Sequence, residues 1–107
     1  MSTAPGRVPN PPRVYWQVAE CLLPGLTPAG AEAFGKRLRT ELVRDQSPVS
    51  FIGSLLMPED EVLLCLFTGA VADVRALSER AGLPFERILR CVGLGWARPE
   101  PEKGFSE

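Results

Sequence analysis

The sequence predicts an α+β fold, a ferredoxin-like βαββαβ protomer in which two helices cover one face of a four-stranded antiparallel sheet. Three observations predict it. Prolines divide the chain into six patterned segments, with Pro24, Pro28, Pro48, Pro58 and Pro84 falling only where elements should end. The segments run strand, helix, strand, strand, helix, strand, which is the split βαβ order. The strands are apolar in both phases, so the sheet face away from the helices is too apolar for bulk water. A second copy of the same sheet is its simplest cover, giving a dimeric α+β barrel.

The first segment, VYWQVAECLL at 14–23, is rich in β-branched and aromatic residues and stops at Pro24-Gly25, as a strand does. Thr27 is a good helix N-cap and Pro28 suits the first helical position. Ala31, Phe34, Leu38 and Leu42 then recur every three or four residues, with charged residues between them, so an amphipathic helix of about four turns is expected. VSFIGSLLM at 49–57 and EVLLCLFT at 61–68 flank the polar Pro58-Glu59-Asp60 and read as a hairpin. In VADVRALSERAG at 71–82, Val71, Val74, Leu77 and Ala81 share a helical face. Gly82 and Pro84 end that helix, whose start lacks a side-chain cap at Gly69-Ala70-Val71 and gains only Asp73 in its first turn. ILRCVGLGW at 88–96 is the last strand. The ordered domain is expected over 13–97, with Pro-rich disordered tails at 1–12 and 98–107.

Composition narrows the function classes. The chain has 107 residues, 45% of them hydrophobic and 23% charged, with a formal net charge of −1, so one globular domain is expected. No field of one sign points to nucleic acid or an anionic membrane. No apolar run approaches the roughly 18 residues of a membrane span, and MSTAPGRVPNPP has no secretory apolar core, so a cytoplasmic location is expected. Cys21, Cys65 and Cys91 are odd in number and widely spaced, which fits reduced thiols and gives no metal-ligand or redox spacing. Histidine is absent, removing the commonest general base and metal ligand. No cofactor and no metal are expected. PEDE at 58–61 is read as a solvated turn.

Polarity sets the expected faces. A carboxylate under the helices costs several kcal/mol unless paired, so Glu20 should face the open side with Trp16, Val18 and Leu22, and Cys21 the core with Ala19 and Leu23. With strand order 4-1-3-2, the same reasoning puts Arg90 on the open side with Ile88, Val92 and Leu94, where it would pair with Glu20. Placing the aliphatic phase Val62, Leu64 and Leu66 under the helices sends Cys65 and Phe67 to the open side. The candidate ligand-binding cleft is therefore Trp16, Glu20, Phe51, Cys65, Phe67 and Arg90. Glu20 is a candidate proton-transfer group with Arg90 beside it, although structural ion pairs are the commoner use of such residues. Cys65 lacks a histidine to activate it and reads as an inert thiol, while Cys21 and Cys91 are expected on neighbouring strands.

The runs LPGLTP at 23–28, GSLLMPEDEVLLCLF at 53–67 and ERAGLPFERI at 79–88 resemble a family of small bacterial proteins of unknown function, named for a nickel-binding member. The likeness spans about residues 14–94. It implies a dimeric ferredoxin-like fold, with homodimerisation through the sheet, and carries over Glu20, the 58–61 turn, Cys65 to Phe67 and Glu79 to Pro84. The nickel site of that member leans on histidines and does not transfer. A Pro and a Ser/Thr cap would be expected in the family where Ala70 and Val71 stand.

Three functions are then open. The first is a homodimer that binds an apolar small molecule over the open sheet face without metal. The second is a cofactor-independent enzyme (an isomerase, cyclase or hydrolase type) moving a proton with Glu20 on a hydrophobic substrate. The third is a structural dimer with no ligand.

Overall fold

The structure, a computed structural model, describes residues 14–94. The tails expected at 1–12 and 98–107, and the domain ends at 13 and 95–97, lie outside the described residues. The elements follow the expected order: β1 (Val14–Leu22), α1 (Pro28–Asp45), β2 (Ser50–Met57), β3 (Val62–Thr68), α2 (Val71–Arg80) and β4 (Arg87–Gly93). The strands form one antiparallel sheet in the order β2-β3-β1-β4. At one end of the sheet Val14 of β1 stands opposite Gly93 of β4.

Local chemistry explains the ends. Thr27 is extended, and its Oγ1 accepts a 3.1 Å hydrogen bond from the Gly30 N–H, satisfying one of the free donors at the start of α1. The helix closes on Gln46 in the left-handed region. Ala70 caps α2 with no side-chain bond. The far end of α2 is better finished: the Gly82 N–H donates to the Glu79 carbonyl and the Leu83 N–H to the Ser78 carbonyl, with Gly82 at φ +72. The hairpin turn at 58–61 also holds the fold together, because the Glu61 carboxylate accepts a 3.2 Å bond from the Gly25 N–H and its carbonyl accepts from Leu23 N–H. Ile52 has no partner residue on β3, which makes a bulge between Phe51 and Gly53.

The core lies between the sheet and the helices. Ala19 and Cys21 of β1, Leu63, Cys65 and Phe67 of β3, Leu38 of α1 and Val74 and Leu77 of α2 are all almost wholly buried there. Ser78 is the one buried polar residue among those described, and its hydroxyl has no hydrogen-bond partner among them.

Candidate functional site

The open face of the sheet carries a shallow groove of about 400 Å³. Its floor is apolar: Trp16 and Val18 from β1, Leu64 and Leu66 from β3, and Leu89 and Cys91 from β4, with Leu55 and Met57 of β2 along one side. Alternation along each strand puts them there, since Trp16 stands opposite Cys91, Val18 opposite both Leu66 and Leu89, and Leu55 opposite Leu64. Large apolar side chains remain open at its margins, Leu22 at 51% and Leu55 at 57% exposure.

Glu20 is the one charged residue in the groove wall. It faces the open side as expected, with Cys21 buried on the opposite face. Its partner, however, is not Arg90. Glu20 stands opposite Arg87 on β4, and its Oε1 accepts a 2.6 Å hydrogen bond from Arg87 Nε. That bond and the carboxylate charge hold the Arg87 guanidinium even more firmly protonated than an ordinary arginine.

Four of the expected cleft residues lie elsewhere. Arg90 stands opposite Gln17, in the phase that faces the helices, and spreads over the Tyr15 ring with Cζ 4.7 Å from its centroid. Polarity misplaced it because helix cover is incomplete. The nine-residue β1 runs about 30 Å, against about 15 Å for the ten residues of α2. A cation therefore fits on the helix side at the uncovered end. Ile88, expected with Arg90 on the open side, packs on the core. Cys65 and Phe67 are buried under the helices, and Val62, Leu64 and Leu66 take the open side, the reverse of the expected phase. Both phases of β3 are apolar, so polarity could not choose between them. The larger ring belongs in the core, where Phe67 meets Phe51 with centroids 5.3 Å apart. Phe51 is accordingly on the helix side, packed on the core. Of the six residues proposed for the cleft, the structure brings together Trp16 and Glu20.

The residues that polarity missed are Arg87, Leu89 and Cys91, besides Leu64 and Leu66 of the reversed β3 phase and Leu55 and Met57 of β2. Arg87 has a signal in the sequence: it lies three residues before Arg90, in the opposite strand phase. Cys21 and Cys91 lie on neighbouring strands as expected but on opposite faces, Cys91 on the open side and Cys21 in the core, where its thiol shares a hydrogen bond with Cys65 of β3. That bond, together with burial among apolar side chains, pushes the Cys65 thiol far above its usual range, so it stays protonated and unreactive. Among the described residues no three of Cys, Asp and Glu converge as metal ligands, and no helix is long and apolar enough to cross a membrane.

No family model matches the chain, and no curated protein matches it at a significant level. Among solved structures it is similar to the crystal structure of SCO4226 from Streptomyces coelicolor A3(2), with 20% identity and a TM-score of 0.58 over 79% of this chain and all of that one. That likeness shows the fold: a ferredoxin-like α+β protomer.

Proposed function

We propose that this protein is a small homodimeric binding protein whose two sheets face each other and enclose an apolar small molecule, without metal. One observation carries the reading: the open face presents a continuous apolar groove lined by all four strands, with large side chains left in water at its margins. A second copy covers such a face with the same surface, as a two-fold interface requires. The Glu20–Arg87 pair supplies the polar edge that would orient a ligand. This pairing favours binding over proton transfer, since the carboxylate is already held by a guanidinium. Kinship with the small bacterial family named above, and a cytoplasmic location, belong to the same proposal. They are supported by the three matching runs and by the cysteine usage.

Size-exclusion chromatography with light scattering, followed by native mass spectrometry of freshly purified protein, tests the reading. A dimer carrying an added mass that is released by organic solvent supports it. A monomer at micromolar concentration overturns it, and an empty dimer leaves only the structural-dimer function.

A further inference from the structure

A second cleft, of about 350 Å³, lies on the helix side of the sheet, at the outer edge where α1 passes β2. Lys36 and Arg39 line one wall and Ser54 the other, with the Phe51 ring between them. We propose that this cleft binds a small phosphorylated polyol, its phosphate held between Lys36 and Arg39.

The charges are arranged for an anion. Lys36 and Arg39 are three residues apart on α1, so they project from one side of the helix. The Arg39 guanidinium is already stacked, with Cζ 4.6 Å from the Phe51 ring centroid. Stacking fixes the plane of the fork and leaves its edge N–H groups for an acceptor. Neither cation is spent on a carboxylate: among the described residues Arg44, Arg80 and Arg87 have acidic partners within 4 Å, and Lys36 and Arg39 have none. A point-charge ammonium beside a planar fork is the donor set that recurs around phosphate.

The backbone also contributes to the cleft. Gly35 lies in its wall beside the stacked pair: a Cβ there would sit 3.5 Å from Arg39 Nη1 and 3.6 Å from the Phe51 ring, in ordinary contact. At the bulge, Gly53 has φ +155, a conformation that other residues rarely adopt, and adds no side chain to the cleft. The Ser54 hydroxyl is exposed and can donate to a phosphate oxygen. Glu32, one turn before Lys36, also lines the cleft and sets the rest of the ligand. It would repel a second anionic group and accept a bond from a hydroxyl, so a phosphate on a hydroxylated carbon skeleton fits better than a diphosphate.

Amide NMR titrations of the full chain at constant ionic strength test the assignment, with glycerol 3-phosphate, inorganic phosphate and glycerol as separate probes. The expected result is saturable shifts at Gly35, Gly53 and Ser54 with glycerol 3-phosphate, weaker binding of inorganic phosphate, and no response to glycerol. K36Q and R39Q should each weaken glycerol 3-phosphate about tenfold, with the remaining resonances in place to show an intact fold. Shifts that never saturate, that scatter over all the basic residues, or that persist in both variants overturn the site. Inorganic phosphate binding as tightly as glycerol 3-phosphate overturns the assigned ligand class.

Discussion

Glu20 and Cys21 are adjacent in the chain and work on opposite sides of the sheet. The carboxylate meets Arg87 at the groove, and the thiol meets Cys65 in the core. The two buried thiols have no route to solvent, so iodoacetamide at pH 8 should leave Cys21 and Cys65 unmodified in the native protein and label both in urea, as peptide mass mapping would show. Ser78 offers a second test. Its buried hydroxyl has given up water for no partner among the described residues, so Ser78→Ala should raise stability by about 1 kcal/mol in urea denaturation. Residues were legible in the sequence where one physical cost dominated. Burying Glu20 would have been expensive, and that cost placed Glu20, Trp16, Val18 and Cys21 correctly. Cys65 and Phe67 had no such cost attached to either face, and their placement rests on how volumes fill the core. Arg90 was misread because its position depends on where a helix stops along the sheet.

At the scale of elements, the two helices differ in how they begin. Thr27 gives α1 a side-chain cap, and Ala70 gives α2 none. Thr27→Ala should cost about 1 kcal/mol, and Ala70→Asp should gain about the same, both read from urea midpoints at unchanged m-value. Ala70 is exposed and extended, so the new carboxylate would meet no steric obstacle and would also face the positive end of the helix. Element order, the start of α1 and the hairpin turn were legible from Pro, Gly and Thr punctuation, and the start of α2 from the spacing of Val71, Val74 and Leu77. The bulge at Ile52 was not read, although an isolated Gly53 inside an apolar strand is the kind of residue that marks one. The tie from Glu61 to Gly25 was also hidden, since it joins a hairpin tip to a loop 36 residues away.

For the whole molecule, the strand order β2-β3-β1-β4 puts the apolar β1 and β3 at the centre, and the proposed dimer would bury them on both faces. A dimer binds its own folded partner, so its melting temperature should rise with protein concentration. Leu64 lies on the groove floor, outside the helix-side core. Leu64→Glu should therefore yield a folded monomer whose melting temperature no longer depends on concentration, as light scattering and thermal scans would record. A variant that stays dimeric would place the interface elsewhere.

The pairing of Val14 with Gly93 has a consequence for connectivity. The two ends of the described chain stand side by side across a strand pair, about 5 Å apart at such a register. A short peptide joining them would close the six elements into a loop, and new ends could be opened at Glu59-Asp60 in the hairpin turn. Such a circular permutant would preserve every strand pair, turning β4 and β1 into a local hairpin and β2 and β3 into the long-range pair. It should reach the same native state, judged by near-ultraviolet circular dichroism, at a similar rate, because one local pairing is exchanged for another.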